Sequence, residues 1–388
     1  MDVYTSFSYT DLGIAPFFIQ RLSERRIHQP TEIQKLAIPR LLAGENLLFR
    51  SATGTGKTFA YLLPLFERLV RSPEVSGPLL LILAPTLELC SQIKAEGDFL
   101  IHAEKTKAPV KISLIIGSAN MSRQIETLKK DKPQVIVGNP ARLLQLVRMG
   151  KLTLGHVKAL VLDEGDRLIA DELFPETQEL VSCINRHRQT AACSATLSTR
   201  SKKRLLPLMG EQVGIVESEE QEILRERIQH WALFSESRRK IPVLCSFLAA
   251  ARAKKVLVFS SQGGQVGNIV SQLQYHKIAA VGLYGEMDKK TRKQALEDFK
   301  AGRARVLVSS DLAARGLDIP LISHIVALDV PDAEGYIHRA GRTGRAGNRG
   351  IMVTLGDAEE LHRFATLEKK LGIQVYPKVL YQGRIGVP

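Results

Sequence analysis

The sequence predicts an α/β protein of two domains, each built on a mostly parallel sheet with helices on both faces. Strand-length apolar runs alternate with helix-length amphipathic segments, and that alternation breaks once, near the middle of the chain. A glycine-rich loop also sits between a strand-like and a helix-like segment, the context such a loop needs.

In the first half the apolar runs fall at 46–50, 79–84, 113–116, 134–137, 159–162 and 190–193. The pattern pauses at the acidic stretch 217–222, which carries no hydrophobic period and reads as a linker. It resumes at 256–259, 279–283, 306–309 and 324–328. The expected organisation is an N-terminal domain over 1–216, a linker over 217–227, a C-terminal domain over 228–375 and a short tail over 376–388.

The loop is Ser51-Ala52-Thr53-Gly54-Thr55-Gly56-Lys57-Thr58. Its glycines permit a tight turn, so that successive N–H groups and the following helix N-terminus converge on phosphate oxygens. Lys57 adds a point charge for the β and γ phosphates. The Thr58 hydroxyl suits Mg²⁺, an ion that keeps most of its waters and takes few protein ligands. Nucleoside triphosphate binding by Thr53 to Thr58 is therefore expected. The second half has no equivalent loop, so the domains are not duplicates.

With 388 residues and 44% hydrophobic content the chain can bury a full core, which excludes a disordered protein. The net charge of +14 implies an anionic partner, most often nucleic acid. Cys90, Cys183, Cys193 and Cys245 are scattered, without the spacing of a zinc site or a disulfide framework, and read as buried thiols in a reducing compartment. No run approaches the ~18 apolar residues of a membrane span, and the first residues lack a leader pattern. A cytoplasmic protein without membrane contact is expected.

The run 159–162 delivers Asp163 and Glu164 to a strand's carboxyl end, where ligands of open α/β sheets sit. Asp163 can support the Mg²⁺ shell, partly through water, while Glu164 can orient and deprotonate the water that attacks a γ-phosphate.

Here a resemblance becomes specific. Asp163-Glu164-Gly165-Asp166 resembles the Asp-Glu-Ala-Asp signature of the DEAD-box RNA helicases, with glycine for alanine. Pro30-Thr31-Glu32-Ile33-Gln34 resembles the Q motif, Pro85-Thr86-Leu87-Glu88-Leu89 the Pro-Thr-Arg-Glu-Leu motif, and Ser194-Ala195-Thr196 the Ser-Ala-Thr motif. In the second half, 311–320 and 338–345 are close matches. The resemblance runs from about Tyr9 to about Val375. It implies two tandem RecA-like domains and an ATP-dependent RNA helicase, or alternatively an ATP-dependent RNA clamp that does not unwind.

The resemblance also assigns residues. Gln34 would select adenine through one donor and one acceptor, and Tyr9 would offer its ring to the base, with Phe7 as substitute although Phe7 reads better as core. Gly316 and Asp318 would complete the nucleotide site, Asp318 at the ribose. Arg342 and Arg345, three apart near an expected helix start, would reach the γ-phosphate as arginine fingers. Asp166, Ser194, Thr196 and His338 would couple nucleotide state between domains.

RNA would be held with little sequence preference, by Pro85, Thr86, Gly117, Asn139, Pro140, Arg142, Arg292, Ser310 and Arg315. Asn139 and Pro140 read as the N-cap and first residue of a helix whose N-terminus can hold a phosphate. Several positions depart from the family pattern: Arg26, Ile27, Leu87, Ala141, Lys289 and Ser310. The tail lacks a basic extension, so targeting would fall to the core or to a protein partner. A monomer is expected.

Overall fold

The structure is a computed structural model that describes residues 7–50, 56–71, 77–101, 110–194, 197–217, 223–285, 287–314, 322–344 and 348–388. The chain divides into two compact units, Met1–Ser218 and Glu219–Pro388.

The first unit is built on seven strands: β1 (Asn46–Arg50), β2 (Leu80–Leu83), β3 (Ile112–Ile115), β4 (Val135–Gly138), β5 (Ala159–Leu162), β6 (Gln189–Ser194) and β7 (Val213–Glu217). They lie in the order β3-β4-β2-β5-β6-β1-β7, every pair parallel. Helices cover both faces, so β2, β4 and β6 are buried along their whole length, and β2 and β4 read as continuous apolar runs. Alternate residues serve opposite faces: Leu47, Phe49, Leu80 and Ile82 join one apolar cluster, and Leu48, Leu81 and Leu83 join the other.

This order has a functional consequence. The carboxyl ends of β5, β6 and β1 are neighbours, and those of β3, β4 and β2 form the other half of the same rim. Register places Arg50 beside Ser194 in the first group and Gly138 beside both Leu83 and Ile115 in the second.

The second unit holds eight strands: β8 (Ile228–Phe234), β9 (Val256–Phe259), β10 (Ala280–Leu283), β11 (Val306–Ser309), β12 (His324–Ala327), β13 (Gly350–Gly356), β14 (Val375–Tyr381) and β15 (Arg384–Gly386). Their order is β10-β11-β9-β12-β13-β8-β14-β15, parallel except for the last pair. The carboxyl ends of β10, β11 and β9 are again adjacent.

Residues 376–388 correct the expectation of a tail. β14 pairs with β8 from Val375 opposite His230 to Lys378 opposite Leu233, and the chain then turns back as β15. Leu380 and Ile385 pack against the apolar cluster under that end of the sheet, which gives the segment a reason to fold. Within 217–227, Glu217 closes β7 and Ile223–Arg227 form a single π-helical turn; 218–222 lie outside the described residues. The turn is anchored at Leu224, whose carbonyl bonds the His230 ring at 2.8 Å; the other ring nitrogen meets the Tyr336 hydroxyl at 2.7 Å. The thiols are also less uniform than expected. Cys90 and Cys193 are buried, but Cys245 is half-buried and Cys183 exposed, all four free.

Candidate nucleotide and RNA sites

Three adjacent strands assemble the candidate nucleotide site of the first unit. After β1, Gly56 adopts φ +89°, which glycine alone accepts without strain, and Lys57 opens the helix Lys57–Arg71. A Cβ on Gly56 would also lie 2.4 Å from Gln34 Nε2, so conformation and space both demand glycine. After β5 come Asp163, 3% exposed, and Glu164, 5% exposed. Ser194, wholly buried, ends β6. Thr53, Gly54, Thr55 and Thr196 lie outside the described residues.

Glu164 occupies the left-handed region, at φ 50° and ψ 53°, and its Oε2 is buried without a hydrogen-bond partner. A strained residue carrying an unsatisfied buried oxygen is unusual, and such groups gather where a ligand is handled. Asp163 is held differently. Tyr61 donates its hydroxyl to Oδ2 at 2.8 Å, while the Cys193 thiol at 2.9 Å and the Glu164 N–H at 2.8 Å both donate to Oδ1. Burial pushes the Tyr61 phenol and the Cys193 thiol well above their ordinary pKa values, with the Asp163 charge adding to the effect, so both remain protonated donors. Cys90, nearby, is pushed up to about 12, chiefly by burial.

Thr58 lies three residues before Tyr61 on the same helix. Among the described residues no group of three or more His, Cys, Asp or Glu side chains gathers to hold a metal. One carboxylate and one hydroxyl fit a hard cation that keeps most of its water.

Gln34 is 2% exposed and its amide is engaged by protein. Its oxygen accepts from Tyr9 OH at 2.7 Å and from Thr31 N–H at 3.0 Å, and its nitrogen donates to Gly56 O at 2.9 Å. Gln34 therefore ties the Q motif to the start of the phosphate-loop helix. The two aromatics exchange the places expected of them. Tyr9 is 1% exposed and belongs to the core, because its hydroxyl finds a buried partner in Gln34. Phe7, expected as core, is 51% exposed and is the ring left available.

The other half of the rim brings together Pro85, Thr86, Gly117, Asn139, Pro140 and Arg142. Thr86 Oγ1 accepts from Leu89 N–H at 3.3 Å, which starts the helix Leu87–Ile101. Pro140 opens the helix Pro140–Arg148 as expected, with Asn139 as N-cap residue, but the Asn139 side chain does not cap it. Its Oδ1 is buried without a partner. Arg142 spends its donors locally, on the carbonyls of Gly117 at 2.6 Å, Ala119 at 3.0 Å and Ile116 at 3.3 Å. It shapes the loop after β3.

In the second unit His338 (5% exposed) lies in the last turn of the helix Ala333–Ala340, and Arg342 (6% exposed) in the turn that follows. The expectation that the arginines adjoin a helix start is corrected: Gly341 caps a helix end, and Gly344 at φ +68° turns the chain away. Arg339 is 2% exposed and grips Asp311 at 2.7 and 2.6 Å and Asp329 at 2.7 Å. Arg292 donates to Ala313 O at 3.0 Å, and Ser310 Oγ accepts from Ala313 N–H at 3.4 Å. Ser310 lines a cavity of about 610 Å³ at the carboxyl ends of β9, β10 and β11, together with Ser261, Gly263, Gly264 and Tyr284. Sequence reasoning missed this glycine-bearing loop, although Gly263-Gly264 directly after an apolar run is a visible signal. Arg315, Gly316, Asp318 and Arg345 lie outside the described residues.

Comparison with known proteins decides the family. Residues 31–205 match the family model described as DEAD/DEAH box helicase, and residues 239–347 match the helicase conserved C-terminal domain. The chain is 35% identical over 373 residues to the DEAD-box ATP-dependent RNA helicase CshC of Bacillus cereus, covering 95% of this chain and 92% of that protein. This chain belongs to the DEAD-box RNA helicase family.

The probable ATP-dependent RNA helicase YfmL of Bacillus subtilis is 33% identical over 357 residues, covering 92% of this chain and 93% of the other. Among solved structures, S. cerevisiae Dbp5 bound to RNA and ADP BeF3 matches with a TM-score of 0.83 at 26% identity over 95% of each chain. The two RecA-like domains of this DEAD-box protein are thus the two sheets described above. Among the described residues no helix is long and apolar enough to cross a membrane.

Three of the departures, Gly165, Leu87 and Arg26, acquire physical accounts. A Cβ on Gly165 would stand 3.1 Å from Leu205 Cδ2, so the glycine goes with a leucine that fills the space of alanine. Leu87 packs against the apolar cluster of the first unit rather than meeting a charge. Arg26 holds φ +60°, a left-handed conformation that favours glycine, and it is exposed. Arg26→Gly is therefore expected to stabilise the protein by about 0.5–1 kcal/mol, by relieving a left-handed side-chain clash. A raised urea midpoint checks this, and a lowered one refutes it.

Proposed function

We propose that this protein is an RNA-stimulated ATPase that locally unwinds or remodels short RNA duplexes, using ATP-driven closure of its two domains. The observation that carries this reading is the meeting of Lys57, Thr58, Asp163, Glu164 and Ser194 at the carboxyl ends of three adjacent strands, with Glu164 buried, strained and unpartnered at Oε2.

In this reading Gln34 and Phe7 address the adenine, Lys57 and the helix N-terminus bind phosphate, and Asp318 accepts from the ribose. Thr58 and Asp163 hold Mg²⁺, which when bound neutralises phosphate charge. Glu164 takes a proton from the attacking water. Arg342 and Arg345 stabilise the departing phosphoryl group, an effect worth ~10³–10⁵ in rate for arginine fingers generally. Asp166, Ser194, Thr196 and His338 report nucleotide state between domains 1–216 and 228–375 across the linker 217–227. Loss of the γ-phosphate contacts reopens the cleft.

RNA is gripped through phosphate and ribose by Pro85, Thr86, Gly117, Asn139, Pro140, Arg292, Ser310 and Arg315, hence without sequence preference. We take the protein to act as a cytoplasmic monomer, directed to its RNA by its core or by a protein partner. A second reading, an RNA clamp without unwinding, draws support from Arg142, whose donors are committed to loop carbonyls, and from Leu87.

One paired experiment separates these readings. ATPase rate is measured with RNA and with DNA of one sequence, beside displacement of a short RNA duplex. Stimulation by RNA over DNA with ATP-dependent strand release is expected, because 2′-hydroxyl contacts favour RNA. Stimulation without release selects the clamp, and equal stimulation by DNA overturns the RNA assignment.

A further inference from the structure

The support around Asp163 is more specific than a buried carboxylate requires. A carboxylate offers about four lone-pair positions. Among the described residues three are filled: two on Oδ1, by the Cys193 thiol and the Glu164 N–H, and one on Oδ2, by the Tyr61 hydroxyl. These donors leave one acceptor position, on Oδ2. Tyr61 and Cys193 are both 0% exposed, so neither meets solvent and each has its donor committed to this site.

The three donors come from three elements. Tyr61 stands on the helix Lys57–Arg71, one turn beyond Lys57 and three residues after Thr58, so it shares their face. Cys193 lies on β6 opposite Phe49 of β1, immediately before Ser194. Phenylalanine at 61 would fill the same volume, so packing alone does not call for the hydroxyl. Its added work is to donate to Asp163.

We infer that Tyr61 and Cys193 are positioning residues of the nucleotide site, which clamp the Asp163 carboxylate so that one lone pair of Oδ2 and the Thr58 hydroxyl are presented together to the Mg²⁺ of the bound nucleotide. This inference rests on the ion assignment proposed above. Outer partners of ion ligands act by orientation, and their removal typically weakens ion-dependent binding about 10–100-fold.

The test measures affinity for a fluorescent ADP analogue in excess Mg²⁺ and in EDTA, on the full chain. In wild type, Mg²⁺ strengthens binding. In Tyr61→Phe that enhancement falls about tenfold while affinity in EDTA is unchanged. Cys193→Ala lowers the enhancement likewise, and Cys193→Ser, which restores a donor, recovers it. A merely structural role would weaken binding equally in both conditions or in neither, and either result overturns the inference. If Cys193→Ala melts early, Tyr61→Phe, which keeps the ring, decides. A wild type with no Mg²⁺ enhancement overturns the ion assignment itself and this inference with it.

Discussion

The Glu164→Gln protein is expected to bind ATP and RNA like wild type while its RNA-stimulated turnover falls about 10²–10⁴-fold, the range a positioned general base supplies. Glutamine keeps the length and shape of the side chain, so the left-handed backbone at φ 50° and the contacts of Asp163 with the 164 N–H persist. What is lost is the proton acceptor at Oε2, the buried atom without a partner. Steady-state hydrolysis beside equilibrium binding checks this. Undiminished turnover would remove Glu164 from the role of base and leave its strain unexplained.

Replacing Arg339 is expected to have the largest effect on stability. Its guanidinium is nearly wholly buried and forms a fork on both Asp311 oxygens with a further bond to Asp329. Burial works against its charge, yet the two carboxylates hold its pKa above the ordinary value. Arg339→Leu leaves two acids beside an apolar side chain. Breaking a buried pair costs about 3–5 kcal/mol; because Asp311 and Asp329 keep 33% and 20% exposure, the lower end, about 3 kcal/mol, is expected. For a unit of this size that lowers the melting temperature by ~6–12 °C. Arg339→Lys is expected to recover little, since an ammonium cannot make the paired contact. Calorimetry of the full chain should show the transition of the second unit shifted alone. An unchanged thermogram would mean that the pair contributes nothing net.

How much of this was legible in the sequence follows from where information is local. Strands buried on both faces, such as Leu80–Leu83 and Val256–Phe259, are uninterrupted apolar runs and stand out. β8 does not, because Gln229 and His230 interrupt it and its burial alternates. β14 is similar, with a proline inside it and no buried residue. The start of the helix at Lys57 and the acids after β5 belong to contiguous motifs, so their place on the rim could be read directly.

The donors on Asp163 could not be read in the same way. Tyr61 and Cys193 acquire a role only when the helix after the loop and β6 are folded against β5. The exchange of Tyr9 and Phe7 has the same origin: two aromatics two residues apart look alike until one hydroxyl finds Gln34. Arg142 shows the converse, a positive charge whose donors are consumed by the loop beside it.

The strand pair at the end of the second sheet also bears on self-association. Without β14, the seven residues of β8, Trp231 and the exposed Phe234 among them, would form the border of the sheet and offer an open ladder to any other chain. β14 occupies that ladder, and the border passes to β15, only three residues long and headed by Arg384. A three-residue strand bearing a charge is a poor template for addition. The last folded residues thereby leave this sheet a short, charged border in place of a long apolar one.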